Sequence, residues 1–164
     1  MAHSDIGRVL VTGGSSGLGA AIAHAVADAG GTPVVLDVNE PPFPVEFARV
    51  DLSDAAATTA AVQRVAEDGL SAVVTAAGID ACGALEDVPV DEWERVIRVN
   101  LLGTVAVVRA ALPTLAANQG RVVTIASTQR RPRNSAARSR SLTYGRSGPF
   151  SRRTDASSLS STTR

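Results

Sequence analysis

No lysine occurs anywhere in these 164 residues; all 16 basic side chains are arginine. Any chemistry that needs a lysine ammonium is therefore closed to these residues. The single cysteine, Cys82, excludes an internal disulfide and suits a reducing compartment. With one tyrosine in the sequence, phenol-dependent catalysis has only Tyr144 to draw on. Of the two histidines, His3 reads as a solvated terminal residue and His24 as a surface or boundary residue, and no second metal-ligand type is spaced near His24. No metal site is expected. No segment reaches the apolar length of a membrane span, and the opening "MAHSDIGRVLVTGG" has no basic region followed by an apolar run. The expected location is the cytoplasm, with no membrane partner.

A net charge of zero conceals a division. Residues 1–128 hold 15 acids against 7 arginines, about −8, whereas residues 129–164 hold 9 arginines against Asp155 alone, about +8. At this length the chain supports one domain with a substantial core. Residues 1–128 carry it, and 129–164 form a tail of different character.

Within residues 1–128, short apolar runs alternate with helical spacing. "RVLVT" (8–12) reads as a buried strand, and "LGAAIAHAVADAG" (18–30) as a helix with Leu18, Ile22 and Ala25 to Ala29 on one face, stopped by Gly30 and Gly31. "PVVLD" (33–37) is a second strand and "EFARVDL" (46–52) a third, after a proline-rich loop at 41–44. A helix over 53–69 is capped by Ser53 or Asp54 and ends on Gly69. "SAVVTAAG" (71–78) is a fourth strand. Residues 91–117 predict a long helix interrupted near Asn100 or Gly103 and bent at Pro113; "GRVVTIAS" (120–127) is a fifth strand. Strands apolar throughout and separated by helices indicate a doubly wound α/β domain with a parallel sheet covered on both faces, a Rossmann-type architecture.

The turn "TGGSSGLG" (12–19) joins the first strand to the first helix. Gly13 permits a tight turn, Gly17 lets the backbone approach a pyrophosphate, and Gly19 lets the helix pack closely on the sheet. A helix N-terminus there presents free N–H groups and a positive dipole end to an anion. Asp37, 18 residues past Gly19 at the end of the second strand, is spaced to bind an adenosine ribose. Its carboxylate would repel a 2′-phosphate and no arginine follows it in "DVNE", which favours NAD over NADP.

These features resemble the short-chain dehydrogenase/reductase family. Its variant of the glycine loop is matched at 12–19, and "VDL" (50–52), "TAAGI" (75–79), "RVNLLGT" (98–104) and "GRVVTIAS" (120–127) follow in the family's order. The resemblance implies a Rossmann sheet in the order 3-2-1-4-5, cofactor contacts from Gly13, Ser15, Ser16, Gly17, Leu18, Gly19 and Asp37, and a position against the adenine for Asp51 and Leu52. Ala76, Ala77 and Gly78 would line the cofactor near strand four, although Thr75 or Ala76 stands where the family usually has asparagine. Asn100 would support the proton-relay end of the active site, and Ser127 would hydrogen-bond the carbonyl or hydroxyl of a small alcohol or ketone substrate. Taken without the motifs, Asn100 is a polar residue interrupting a helix and Ser127 a strand-end cap. Trp93 reads as a helix-packing residue and Cys82 as a small loop residue, neither as a substrate contact.

The family's chemistry needs more. A free tyrosine, with a pKa of about 10, is a poor base at neutral pH. The family places a lysine one helical turn beyond its tyrosine, so that the ammonium favours phenolate. Four residues beyond Tyr144 stands Gly148, and Arg146 falls on a different helical face. Gly145, Gly148 and Pro149 oppose a helix in any case. The expectation is a C-terminally truncated or frameshifted family member that is catalytically inactive.

Residues 129–164 contain 9 serines, 9 arginines and few large apolar side chains, a composition expected to be disordered. Three accounts compete: an out-of-frame continuation of the family sequence, an arginine/serine tail that binds polyanions, and an assembly artefact. The abrupt change after "TIAST" favours the first. The second would make the chain a non-enzymatic nucleotide-binding protein with a basic anchor, but only Tyr144 and Phe150 could stack on bases, so nucleic acid is a poor candidate partner. With five strands only, the fifth would be an exposed apolar edge, prone to aggregation. The family's usual homo-oligomeric helix contact would be incomplete, leaving much of 100–117 exposed.

Overall fold

The computed structural model describes residues 6–126 apart from Leu85. Ser127, Tyr144 and the arginine/serine-rich segment lie outside the described residues. The element order is β1 (Arg8–Thr12), α1 (Gly17–Asp28), β2 (Thr32–Asp37), β3 (Glu46–Arg49), α2 (Ala55–Ala66), β4 (Ala72–Thr75), α3 (Val90–Ile97), a π-helical segment (Arg98–Gly103), α4 (Thr104–Ala117) and β5 (Arg121–Thr124). The five strands form one sheet in the order β3-β2-β1-β4-β5, and every neighbouring pair is parallel. This is the Rossmann-type α/β arrangement expected.

Parallel strands buried on both faces need apolar residues in both side-chain phases, and β1 supplies them. Leu10 faces one way, into a core with Val34, Leu36, Val73, Val62, Val107 and Leu115. Val9 and Val11 face the other way, with Val74, against Ile22 and Val26 of α1. Helix α1 thus covers one face, and α2 and α4 the other. The buried stripe of α1 differs from the expected one. Gly19 and Ala23 are buried with Ile22 and Val26 beside them, while Leu18 is 55% exposed in the first turn, at the carboxyl ends of the strands.

Local signals set the helix ends. Gly30 takes φ +84 after α1, and Gly31 N–H bonds Val26 O at 2.9 Å while Gly30 N–H bonds Ala27 O at 2.9 Å, the paired closure that follows a left-handed residue. Asp54 caps α2, its Oδ1 accepting from Ala56 N and Ala57 N. Gly69 turns the chain with φ +81. Strand β3 stops at Arg49 rather than running to Leu52, because β2, its neighbour among the described residues, ends at the paired residue Asp37.

The expected break in the long helix takes a particular form. Residues 90–117 stay helical, with the irregularity absorbed as a π-helical segment that contains both Asn100 and Gly103. Pro113 sits inside α4, which continues to Ala117. By length and mean hydropathy this 28-residue run could cross a membrane, contrary to the expectation that no segment is long enough. Its seating on the sheet accounts for part of that apolarity: Val107, Ala111 and Leu115 belong to the core. Leu101, Leu102, Val105 and Leu112 are exposed. Trp93, expected to pack a helix, is exposed at 36%, and α3 buries none of its residues. On β5, at the edge of the sheet among the described residues, Val122 and Val123 are exposed, as is Ile125 just beyond it, matching the expected apolar edge.

Candidate functional site

The turn after β1 is built from positions where a side chain has no room. Gly13 has φ +69, and a Cβ there would lie 2.7 Å from Ala77 Cα; a Cβ on Gly19 would lie 2.1 Å from Gly13 O. Gly13 thus lets the turn touch strand four's motif, and Gly19 lets α1 dock on the turn. Gly17 differs. It also has a positive φ, +51, but a Cβ there would meet nothing within 4 Å, so its face opens on space. Gly14, which the sequence reading passed over, also has little room, its Cβ meeting the Val35 side chain at 2.6 Å rather than backbone. Ser16 precedes α1 without a side-chain cap, and the first turn has no acidic residue. The N–H groups left there suit an anion.

Asp37 is tied into this turn. Its Oδ2 accepts from Ser15 N at 3.0 Å and its Oδ1 from Asn39 N at 3.0 Å. Ser15 Oγ donates to Asn39 O at 2.6 Å. The carboxylate therefore orders the loop and keeps its remaining lone pairs for a hydroxyl donor. Arg49, paired with Asp37 in the β2–β3 register, is turned to other work: Nη1 donates to Val38 O at 2.7 Å, and Nη2 lies 3.8 Å from Glu40.

On the other side of β1, Thr12 Oγ1 accepts from Ala77 N at 3.1 Å, fixing the "TAAGI" loop to the glycine turn. Asn100 fixes its far end. Its Oδ1 accepts from Ile79 N at 2.9 Å, and its Nδ2 donates to Ile79 O at 2.8 Å. The asparagine thus acts on the loop that lines the cleft. At Asp51, the N–H and hydroxyl of Ser53 hold the carboxyl below its ordinary value, with Arg95 adding a smaller effect in the same direction against slight burial. It is an ionised acceptor at neutral pH.

These pieces enclose one cleft of about 360 Å³ at the carboxyl ends of the strands, beside β1, where the strand order reverses. Of the expected cofactor residues, Gly13, Ser16, Gly17, Leu18, Gly19, Asp37, Asp51, Leu52, Ala76, Ala77 and Gly78 all line it. Ser15 does not; it is buried and acts through Asp37 and Asn39. Asn100 stands behind Ile79 rather than in the wall. Val38, Asn39, Val50, Ile79, Arg95 and Val99 line the cleft without having been singled out. The motif order could have indicated Val38, Asn39, Val50, Ile79 and Val99, which lie beside marked residues, but nothing in the sequence brings Arg95 to Asp51. Cys82 is exposed and donates to Asp80 Oδ2 at 3.2 Å, which raises its pKa. Among the described residues no cluster of His, Cys, Asp and Glu could hold a metal.

The sequence pattern of the short chain dehydrogenase family matches residues 7–137. The chain belongs to that family. It is 32% identical over 143 residues to a 2,5-dichloro-2,5-cyclohexadiene-1,4-diol dehydrogenase of Sphingobium indicum, covering 77% of this chain and 57% of that one. A 3-alpha-(or 20-beta)-hydroxysteroid dehydrogenase of Mycobacterium tuberculosis is 34% identical over 137 residues, 76% of this chain and 53% of that one. Among solved structures, the ligand-free aldohexose dehydrogenase of Thermoplasma acidophilum superposes with a TM-score of 0.70 at 29% identity, covering 76% of this chain and 50% of that one. The chain spans little more than half the length of these curated relatives.

Short-chain dehydrogenases are oxidoreductases that use nicotinamide cofactors, and the site's chemistry fits such a group. An uncapped helix start and the open face of Gly17 suit a pyrophosphate. Asp37 and Asp51 add two carboxylates to the same cleft wall.

Proposed function

We propose that this chain binds NAD, in preference to NADP, as the nucleotide-binding part of an oxidoreductase acting on a small alcohol or carbonyl compound. The observation that carries the cofactor choice is Asp37. Its carboxylate is fixed by two backbone N–H groups at the cleft wall, where it can accept from ribose hydroxyls and where a 2′-phosphate would meet like charge. Arg49, the cation paired with Asp37 in the register, is turned toward Val38 O and Glu40 and does not line the cleft. Gly17 brings backbone to the pyrophosphate on a turn that Gly13 and Gly19 keep tight, Ala76, Ala77 and Gly78 form the opposing wall, and Asp51 and Leu52 hold the adenine. A bound nicotinamide supplies the hydride acceptor.

The proton side of the reaction is a different matter. Asn100 holds the 76–79 loop, and Ser127 is assigned the substrate hydroxyl by family resemblance. With Gly148 four residues beyond Tyr144 and no lysine in the sequence, these 164 residues have no ammonium to favour phenolate at neutral pH. We therefore assign the chain nucleotide binding without turnover of its own.

Calorimetric titration of the 164-residue chain with NAD and NADP tests the first part. Tighter binding of NAD is expected, and Asp37→Ala should narrow the gap between the two. Equal or tighter NADP binding by the unmodified chain overturns the assignment. For the second part, alcohol-dependent NADH formation at a rate typical of enzymes would sink the inactivity claim.

A further inference from the structure

Arg95 is the one cation among the described residues that line the cleft. Its neighbour Arg98 is spoken for, with Nη2 3.1 Å from Glu94 Oε2. Arg95 has no hydrogen bond or ion pair of that kind among the described residues, although Asp51 lines the same cleft. The backbone explains how the arginine comes to be there. Residues 95, 99 and 103 follow one another at intervals of four along the helical run, and so share a face. At the far end of that face, a Cβ on Gly103 would lie 2.7 Å from Leu52 Cβ and 2.8 Å from Leu52 O, so the missing side chain lets the helix settle directly on Leu52. Val99, next along, is buried and lines the cleft. Arg95 then reaches the cleft beside Asp51.

We infer that Arg95 is the base-contacting cation of this cleft, its planar guanidinium lying against the face of a 6-aminopurine whose amino edge is accepted by Asp51. The inference rests on reading the cleft as an adenine dinucleotide site and adds a specificity residue to it. A guanidinium is flat, weakly hydrated and attracted to an aromatic face, whereas a lysine ammonium would supply charge without the plane. Asp51, ionised at neutral pH, accepts only, so the pair selects a purine that offers a donor beside a polarisable ring. Arg95 also favours the ionised form of Asp51 on the same cleft wall.

The test is titration of AMP and of adenosine 2′,5′-bisphosphate into the 164-residue chain and into Arg95→Ala and Arg95→Lys, with the thermal midpoint of each recorded. Arg95→Ala should weaken AMP binding roughly 5- to 30-fold with an unchanged midpoint, and Arg95→Lys should recover only part of the loss. Where the alanine variant melts early, Arg95→Gln takes its place with the same expectation. AMP binding that is unaltered in Arg95→Ala, or fully restored by lysine, overturns the base contact while leaving the cofactor site standing. A loss confined to the 2′,5′-bisphosphate assigns the arginine to a phosphate and likewise overturns it. If the unmodified chain binds neither AMP nor NAD, the cleft reading fails and this inference falls with it.

Discussion

The side chain of Asn100 hydrogen-bonds both backbone groups of Ile79, accepting from its N–H at 2.9 Å and donating to its carbonyl at 2.8 Å. An amide can do both at once; neither a carboxylate nor a hydroxyl of that reach can match the pair. The clamp joins the π-helical segment to the loop that forms one wall of the cleft. Since Asn100 is exposed, the groups it releases could be rehydrated. Asn100→Ala should therefore cost about 1–3 kcal/mol of unfolding free energy, at 0.5–1.5 kcal/mol for each of the two hydrogen bonds, and should weaken nucleotide binding by loosening Ala76–Ile79. Urea denaturation measures the first effect. A loss under about 0.5 kcal/mol would show that the clamp holds nothing in place.

Three of the loop's four glycines, Gly13, Gly17 and Gly19, should not respond alike. Alanine at position 19 would drive its Cβ to 2.1 Å from Gly13 O, and alanine at 13 would meet Ala77 backbone at 2.7 Å with φ at +69 as well. Overpacking alone costs about 1–3 kcal/mol, and rigid backbone on the other side puts both substitutions at the upper end. Gly17→Ala meets no atom within 4 Å, so it should cost only the left-handed penalty of about 1–2 kcal/mol while still intruding on the anion site. Urea midpoints should rank Gly17→Ala as the mildest for stability, while calorimetry shows nucleotide binding lost. A Gly17→Ala chain as unstable as Gly19→Ala contradicts the open face.

How much of this was legible in the sequence follows from how local each feature is. The β1–turn–α1 unit could be read because its glycines, its apolar strand and Asp37 all lie within 30 residues of one another, at Arg8 to Asp37. The caps at Asp54 and Gly69 are likewise properties of short stretches. The length of β3 was not legible, since it is set by where its partner β2 stops. The α1 stripe was misjudged at Leu18 because helical spacing cannot say where the sheet ends and the cleft begins. The π-helical segment was visible only as a weakness near Asn100 and Gly103. Its purpose depends on two long-range contacts, Asn100 with Ile79 and Gly103 with Leu52. Arg95 was invisible for the same reason: a lone arginine on an amphipathic helix carries no sign of the carboxylate it will share a cleft with.

Gln119 is the one non-glycine residue with positive φ among the described residues, at +52. It follows α4, and Gly120 N–H closes the turn on Leu115 O at 2.7 Å. This is the left-handed exit that usually employs glycine, with glutamine in its place. The left-handed cost of about 1–2 kcal/mol exceeds the entropy cost of about 0.5–1 kcal/mol that glycine brings. Gln119→Gly should therefore stabilise the chain by roughly 0.5–1 kcal/mol and raise the thermal midpoint. A lower midpoint would mean that the glutamine side chain makes contacts outweighing its backbone strain.

Asp51 gives the fold a pH dependence with a definite sign. Hydrogen bonds from Ser53 hold its folded pKa below the ordinary 3.8, against a small opposing effect of burial. A depressed carboxylate stabilises the folded state wherever it is ionised in both states. That contribution is fully present well above 3.8 and disappears as pH falls through the lower folded value. Because the group is largely solvated, the effect should stay below about 1 kcal/mol. Asp51→Asn removes the titration and should leave a shallower loss of stability across the acid range, with the two chains differing most near neutrality and converging at the acid end. Urea midpoints taken from about pH 6 down to about pH 2 would show this. Parallel acid profiles for the two chains would mean that Ser53 gives the ionised carboxyl no net advantage.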